Sequence, residues 1–190
     1  MKGRLAVRGI FSGVSVALLL MLAPIVGNTQ VKQLGAGATS QDFITGLSPT
    51  PGQPAVKFRG IRVLNANPAD NAEEAAGPAV AVDIKFALNS AALTDEAKKT
   101  LKQMAAAMKS QELTPYHFLL EGHTDTTGRP DYNMELSKKR AEAVRTYLSG
   151  SLGVDAQRLE AIGRGQTSLL DPAHPESPVN RRVQVVNLGG

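Results

Sequence analysis

Residues 117–148 read HFLLEGHTDTTGRPDYNMELSKKRAEAVRTYL. The stretch opens as a strand, Tyr116 to Glu121, behind the breaker Pro115. Gly122 to Arg129 is a turn-rich loop, and a helix runs from about Asp131 to Leu148 before Gly150 ends it. On a helical projection Leu136, Ala143, Val144 and Tyr147 share one face. Arg140 falls in the middle of that stripe, while Lys138, Lys139, Glu142 and Arg145 turn toward the polar side. One long cation is thus aimed at the sheet, and an acid, Asp125, stands just past the end of the strand.

Outward from this run the pattern stays regular. Before it, Val80, Val82, Ile84 and Phe86 alternate with Ala81, Asp83 and Lys85, the mark of a half-buried strand. Thr94 can cap a helix whose first turn carries Asp95 and Glu96, where the helix dipole favours acids. Ala97, Leu101, Met104, Ala105 and Met108 then recur at helical spacing. After it, residues 158–163 form a short strand, a proline-rich loop spans 163–180, and Val183 to Val186 close the domain as a strand. The order β-α-β-α-β-β over residues 78–190 predicts an α/β sandwich, with two helices on one face of a small mixed sheet.

The N-terminal part is read differently. Lys2, Arg4 and Arg8 precede an apolar run from Val14 to Val26, the pattern of an export signal over residues 1–27. Extended back to Ile10, the same run nearly reaches the length of a membrane span, so an uncleaved anchor stays open beside a cut after Gly27. Residues 28–77 read as an extension and linker. Within them 28–55 are mostly irregular, with Phe43, Ile44 and Leu47 as a short docking turn, and 56–64 form a strand or hairpin. Residues 65–78 are a polar linker. The middle region is too short for an eight-stranded membrane barrel.

Composition excludes several classes. The chain has no cysteine, which rules out disulfides, thiolate metal sites and attachment of a lipid to a cysteine of this chain. The net charge of +4 comes mainly from the first 27 residues, without which 18 basic residues face 17 acidic ones. No concentrated basic surface points to nucleic acid. His117, His123 and His174 show no metal-ligand spacing. Ser137 with His123 and Asp125 lacks a strained nucleophile turn, and Glu121 with Asp125 is a chance pair of strand-end acids, so no catalytic machinery and no cofactor is implied.

A guanidinium on a buried face needs an acceptor. Asp125 lies in the loop that folds back to lay the helix on the sheet, so the two can approach. Either they form a structural ion pair, or both stay partly open and grip a zwitterion, the aspartate taking an ammonium and the arginine a carboxylate through its planar fork.

The run GHTD at 122–125, NMELSKKRA at 133–141 and NRRV at 180–183, in that order and spacing, resembles the OmpA-like peptidoglycan-binding domain family over residues 78–188. The resemblance implies that Asp125 and Arg140 hold diaminopimelate, the zwitterionic residue of the peptidoglycan stem peptide. It further implies that Asn133 lines the pocket and that Thr124 fixes the turn. The end of the first strand, Phe86, Ala87, Leu88 and Asn89, would offer backbone amides to the ligand carboxylate. Arg181 or Arg182 would lie near the same pocket, and strand alternation lets only one of them point inward. The loop at 163–180 departs from the family, with Leu169 and Leu170 where polar residues are common, which leaves the pocket rim open. The expected protein is a non-enzymatic wall-binding module of the periplasm or outer membrane, with peptidoglycan as partner. An inner-membrane anchored relative of motor or secretion systems is the first alternative and a peptidoglycan-active enzyme the second. Residues 28–64 are left for a membrane contact or an envelope protein.

Overall fold

The computed structural model describes residues 31–35, 37–49, 77–87 and 89–190. The export segment, the expected strand at 56–64, almost all of the linker at 65–78, and Leu88 lie outside the described residues. The strands are β1 (Lys32–Leu34), β2 (Ala79–Val82), β3 (His117–His123), β4 (Leu159–Gly165) and β5 (Val183–Gly189). The helices are α1 (Ser40–Leu47), α2 (Asp95–Met108) and α3 (Pro130–Thr146). The sheet order is β1-β2-β5-β3-β4, with β5 antiparallel to both its neighbours and the other two pairings parallel. Four strands therefore point one way, and their carboxyl ends gather at one rim.

The expected α/β architecture is present, with a third helix and a fifth strand added. Both come from the segment read as irregular. Thr39 and Asp42 form a reciprocal capping box that starts α1. Phe43 and Leu47 then sink fully into the core, so the docking turn is a docked helix. Gly46 permits this approach, since a Cβ there would meet the Val80 side chain at 2.4 Å. Asn187 of β5 donates from its amide to the Leu47 carbonyl at 2.8 Å, which closes the end of α1 on the sheet.

One face of the sheet carries the main core. Val80, Val82, Phe118, Leu120, Val183 and Val185 meet Leu101, Met104 and Met108 of α2 and Val144 and Leu148 from the α3 side. Leu119, Val186 and Leu188 form a smaller cluster apart from it. The strand expected to run to Phe86 stops at Val82. There the Ile84 amide donates to the Val82 carbonyl at 3.0 Å, a tight i to i+2 turn that ends the ladder. Phe86 instead bridges to Leu93 within the loop that follows.

The buried stripe of α3 is also rotated from its expected position. Asn133, Ser137, Ala141 and Val144 are its buried residues, with Arg140 at the margin. Small residues set this orientation. A Cβ on Gly122 would lie 2.1 Å from the Ser137 carbonyl oxygen, and one on Gly163 would lie 2.6 Å from both the Lys138 nitrogen and Ser137 Oγ. The helix backbone rests almost directly on β3 and β4. Ser137 Oγ donates to the Met134 carbonyl at 2.7 Å and accepts from the Gly165 amide at 2.9 Å, which ties α3 to the end of β4.

Candidate functional site: a charged cleft at the carboxyl rim of the sheet

A cleft of about 470 Å³ opens at the rim where the parallel strands end. Gln33 to Gly35, Ala81, Phe86, His123, Arg140, Leu170, Arg181 and Arg182 are among its lining residues. Ligands of open α/β sheets collect at such carboxyl ends. This cleft is lined by more cations than anions.

Asp125 follows directly from β3. Two backbone bonds hold the chain on its way out: the His123 amide to the Arg182 carbonyl at 2.9 Å, and the Thr124 amide to the Gly165 carbonyl at 2.8 Å. Thr124 fixes the turn through its backbone, while its buried hydroxyl has no hydrogen-bond partner among the described residues. The side chain of Asp125 is 5% exposed. Its Oδ1 accepts from the Thr127 amide at 3.0 Å and from the Thr127 hydroxyl. Its Oδ2 accepts from Arg181 Nη1 at 2.7 Å. Burial pushes the carboxyl pKa up, but the Thr127 and Arg181 contacts outweigh it and hold Asp125 below the usual carboxylate range.

Asn133 is buried and its amide is fully engaged. Nδ2 donates to the Thr127 carbonyl at 3.0 Å, to Gln166 Oε1 at 2.8 Å and more weakly to the Asp125 carbonyl at 3.3 Å. It braces the 125–127 loop from behind. A residue expected to line the pocket thus holds the loop that carries Asp125.

Arg140 is half-buried at the edge of α3. Its Nε donates to the Ser90 carbonyl at 3.1 Å, and its guanidinium lies over the Phe86 ring, 5.0 Å from the centroid. Burial holds its pKa below the ordinary arginine range, with the nearby Arg181 pushing the same way and Tyr132 and Asp125 opposing. Among the described residues no salt bridge joins Arg140 to Asp125. The aspartate is paired with Arg181 instead, whose side chain is 47% exposed.

The two adjacent arginines do not divide as strand alternation requires, because both precede β5. Both line the cleft, but only Arg181 contacts Asp125. Arg182 is buried, and burial pushes it down to about 10 against the pull of Glu121. Its Nη2 donates to Gln184 Oε1 at 3.3 Å. Near it, Glu121 is held by Arg164 at 2.9 and 2.6 Å. His123 donates from Nδ1 to the Ser168 carbonyl at 3.0 Å, and burial pushes its pKa below the usual histidine value against the pull of Glu121. Glu121 and His123 thus belong to a buried network beside the cleft. No group of three or more His, Asp or Glu that could hold a metal occurs among the described residues.

The backbone amides expected from residues 87–89 are partly spoken for. The Ala87 amide donates to the Ala92 carbonyl at 3.1 Å. Asn89 takes the left-handed conformation that turns the loop, at φ 49°. Asn180 was missed by the sequence reading. Fully buried, it accepts from the Leu170 and Asp171 amides, both at 2.9 Å, and donates to the carbonyls of His174 and Pro175. It staples the long loop and so delivers Arg181 to Asp125. Three prolines around a single asparagine were the available signal.

The α/β sandwich thus carries a fixed acid, Asp125, and a half-buried arginine, Arg140, at one rim. The comparisons with known proteins agree with this fold. The profile of the OmpA family matches residues 85–182, and the chain belongs to this family. A peptidoglycan-associated lipoprotein of Pseudomonas aeruginosa is 31% identical over 173 residues, covering 89% of this chain and 93% of that protein. Outer membrane porin F of the same organism is 36% identical over 107 residues, 55% of this chain, but the match spans only 30% of the porin. Among solved structures the periplasmic domain of Helicobacter pylori MotB shares the fold, with a TM-score of 0.52 and 20% identity. That match covers 60% of this chain and 76% of the other.

Proposed function

We propose that this chain is an exported, non-enzymatic anchor that binds peptidoglycan through diaminopimelate, in the periplasm or at the outer membrane. Asp125 takes the ligand ammonium and Arg140 the carboxylate. The observation that carries this reading is the division of labour beside the cleft, which Arg140 and Arg181 line and to which Asp125 is joined through Arg181. Asp125 is immobilised by Thr127 on one oxygen and paired on the other with the half-exposed Arg181, while Arg140 has no carboxylate of its own among the described residues. Membership of the OmpA family and the full-length similarity to a peptidoglycan-associated lipoprotein support the choice of ligand. The lipid of that relative does not transfer through this chain, which has no cysteine to carry it.

In this reading the unliganded site holds its own stand-in. Arg181 occupies Asp125 Oδ2 as an ammonium would, and its half-exposed side chain can swing out as an ammonium takes its place on the buried carboxylate. The ligand carboxylate then enters beside Arg140 and Arg181 and relieves the repulsion between the two guanidiniums. No covalent bond is made or broken.

Calorimetry with a muropeptide containing diaminopimelate, on the full chain, tests the reading. Asp125→Asn and Arg140→Ala should each weaken binding by about tenfold or more, as for loss of one partner of a desolvated charge pair. Wild-type affinity in both variants would sink it. No helix among the described residues is long and apolar enough to cross a membrane. Whether residues 1–27 anchor the protein is decided by mass spectrometry of its mature N-terminus. A start near residue 28 excludes the anchored form.

A further inference from the structure

The cleft at the sheet rim has a second kind of lining. Beside its cations it is walled by Leu34 of β1, Ile84, Leu170, Pro178 and Val179. Leu34 and Ile84 are buried, whereas Leu170 and Val179 are partly exposed. Leu34 and Ile84 lie outside residues 85–182, which the OmpA family profile matches. Leu170 stands where polar residues are common in the family. This apolar wall is therefore not part of the charged pattern that carries the family likeness.

The frame of the wall is made by backbone bonds. Asn180 Oδ1 accepts from the Leu170 amide at 2.9 Å. The one-turn helix Pro178–Asn180 ends with the Arg181 amide on the Pro178 carbonyl at 3.0 Å. One buried asparagine thus sets Leu170, Val179 and Arg181 on the same cleft. On the sheet, the Asp83 amide donates to the Leu34 carbonyl at 3.4 Å and the Ile84 amide to the Val82 carbonyl at 3.0 Å, which fixes the strand ends where Leu34 and Ile84 sit. Pockets for small ligands combine a few polar groups that orient with apolar surface that supplies area. Here Arg140 and Arg181 are the polar groups, and Leu170 and Val179 have apolar area still to bury.

We propose that this wall is a subsite for a small apolar side chain, and that it takes the alanine bonded to diaminopimelate in the stem peptide. This rests on the proposed function and names a second residue of the same ligand. Diaminopimelate has two neighbours in the stem peptide, a glutamate and an alanine, and only the alanine carries an apolar side chain. Covering its methyl group against Leu170 and Val179 takes apolar area of both partners out of water, worth about fourfold in affinity for a single carbon. A charged neighbour would lose hydration against the same wall without a hydrogen bond in return.

The test is calorimetry on the full chain with two muropeptides that differ by one methyl group. In both, a single residue follows diaminopimelate, alanine in one and glycine in the other. The wild-type chain should bind the alanine form about three- to fivefold more tightly. Leu170→Ala and Val179→Ala should each reduce that preference, and the two together should bring it below about twofold. Affinity for the glycine form should stay within about twofold of wild type throughout. Leu170→Met keeps an apolar wall and should keep the preference. Equal binding of both muropeptides by the wild-type chain, a comparison that needs no variant to fold, overturns the inference and leaves the proposed function standing. So does a preference that survives both truncations, and so does equal weakening for both muropeptides, which would mark Leu170 and Val179 as merely structural. Wild-type affinity for both muropeptides in Arg140→Ala overturns the proposed function itself.

Discussion

At the scale of single residues, the site depends on how one carboxylate is held. Asp125 Oδ1 takes two donors from Thr127, the backbone amide and the hydroxyl, and both support the carboxylate charge. The folded-state pKa of Asp125 is depressed, against the upward push of burial, by these bonds and by Arg181. A depressed acid stabilises the fold above its unfolded pKa of about 3.9, and that contribution is lost as the pH falls through the folded value. Thr127→Val removes one charge-assisted bond and should move the Asp125 pKa upward. At pH 7 the variant should be less stable by about 1.5–2 kcal/mol. The difference from wild type should shrink as the pH falls through the depressed folded-state value of Asp125. Carbon-detected NMR titration of the Asp125 carboxyl, together with denaturant melts at pH 7 and pH 2.5, measures both halves. A pH-independent difference would mean that Thr127 acts on packing alone.

At the scale of elements, close approach of α3 to the sheet decides where its charges point. Gly122 and Gly163 let the helix backbone descend onto β3 and β4, and Ser137 bonds the end of β4. Gly122→Ala places a Cβ 2.1 Å from the Ser137 carbonyl oxygen, which is backbone and cannot rotate away. It should destabilise the protein by about 2–3 kcal/mol and weaken ligand binding in the fraction still folded, because Arg140 is lifted with the helix. Thermal denaturation and calorimetry on the same variant check the two effects. This packing also explains what could be read from the chain. The strands and helices from Ala79 onward were legible because their apolar periods are long and clean. Asp125 and Arg140 were legible as unusual charges near apolar surface. The face of α3 was not, since its buried centre is built from Asn133, Ser137 and Ala141, which carry no hydrophobic signal. Arg140 was therefore placed at the middle of a stripe whose edge it occupies. The role of Arg181 was illegible for another reason: it depends on Asn180, whose contacts reach across a ten-residue loop. Residues 40–47 escaped because an eight-residue helix gives little periodicity, and its acid at the capping-box position is Asp rather than the usual Glu.

At the scale of the whole molecule, the N-terminal segment and the binding cleft are parts of one structure. β1 adds to the sheet edge parallel to β2, and its residues Gln33 to Gly35 form one wall of the cleft. α1 is fastened by Phe43 and Leu47 in the core, by Asn187 at its C-terminal end, and by the Ser40 amide on Gln103 at 3.2 Å. Loss of α1 should therefore reach the fold before it reaches the ligand. Phe43→Ala empties a fully buried position and should cost about 3–5 kcal/mol of global stability, the range for truncating a buried phenylalanine. A fragment starting at residue 78 should then be less stable than the full chain by more than Phe43→Ala. Urea melts of the full chain, the Phe43→Ala variant and the fragment 78–190 order the three. If the fragment proves as stable as the full chain, α1 and β1 are appendages, and the wall they lend to the cleft is dispensable.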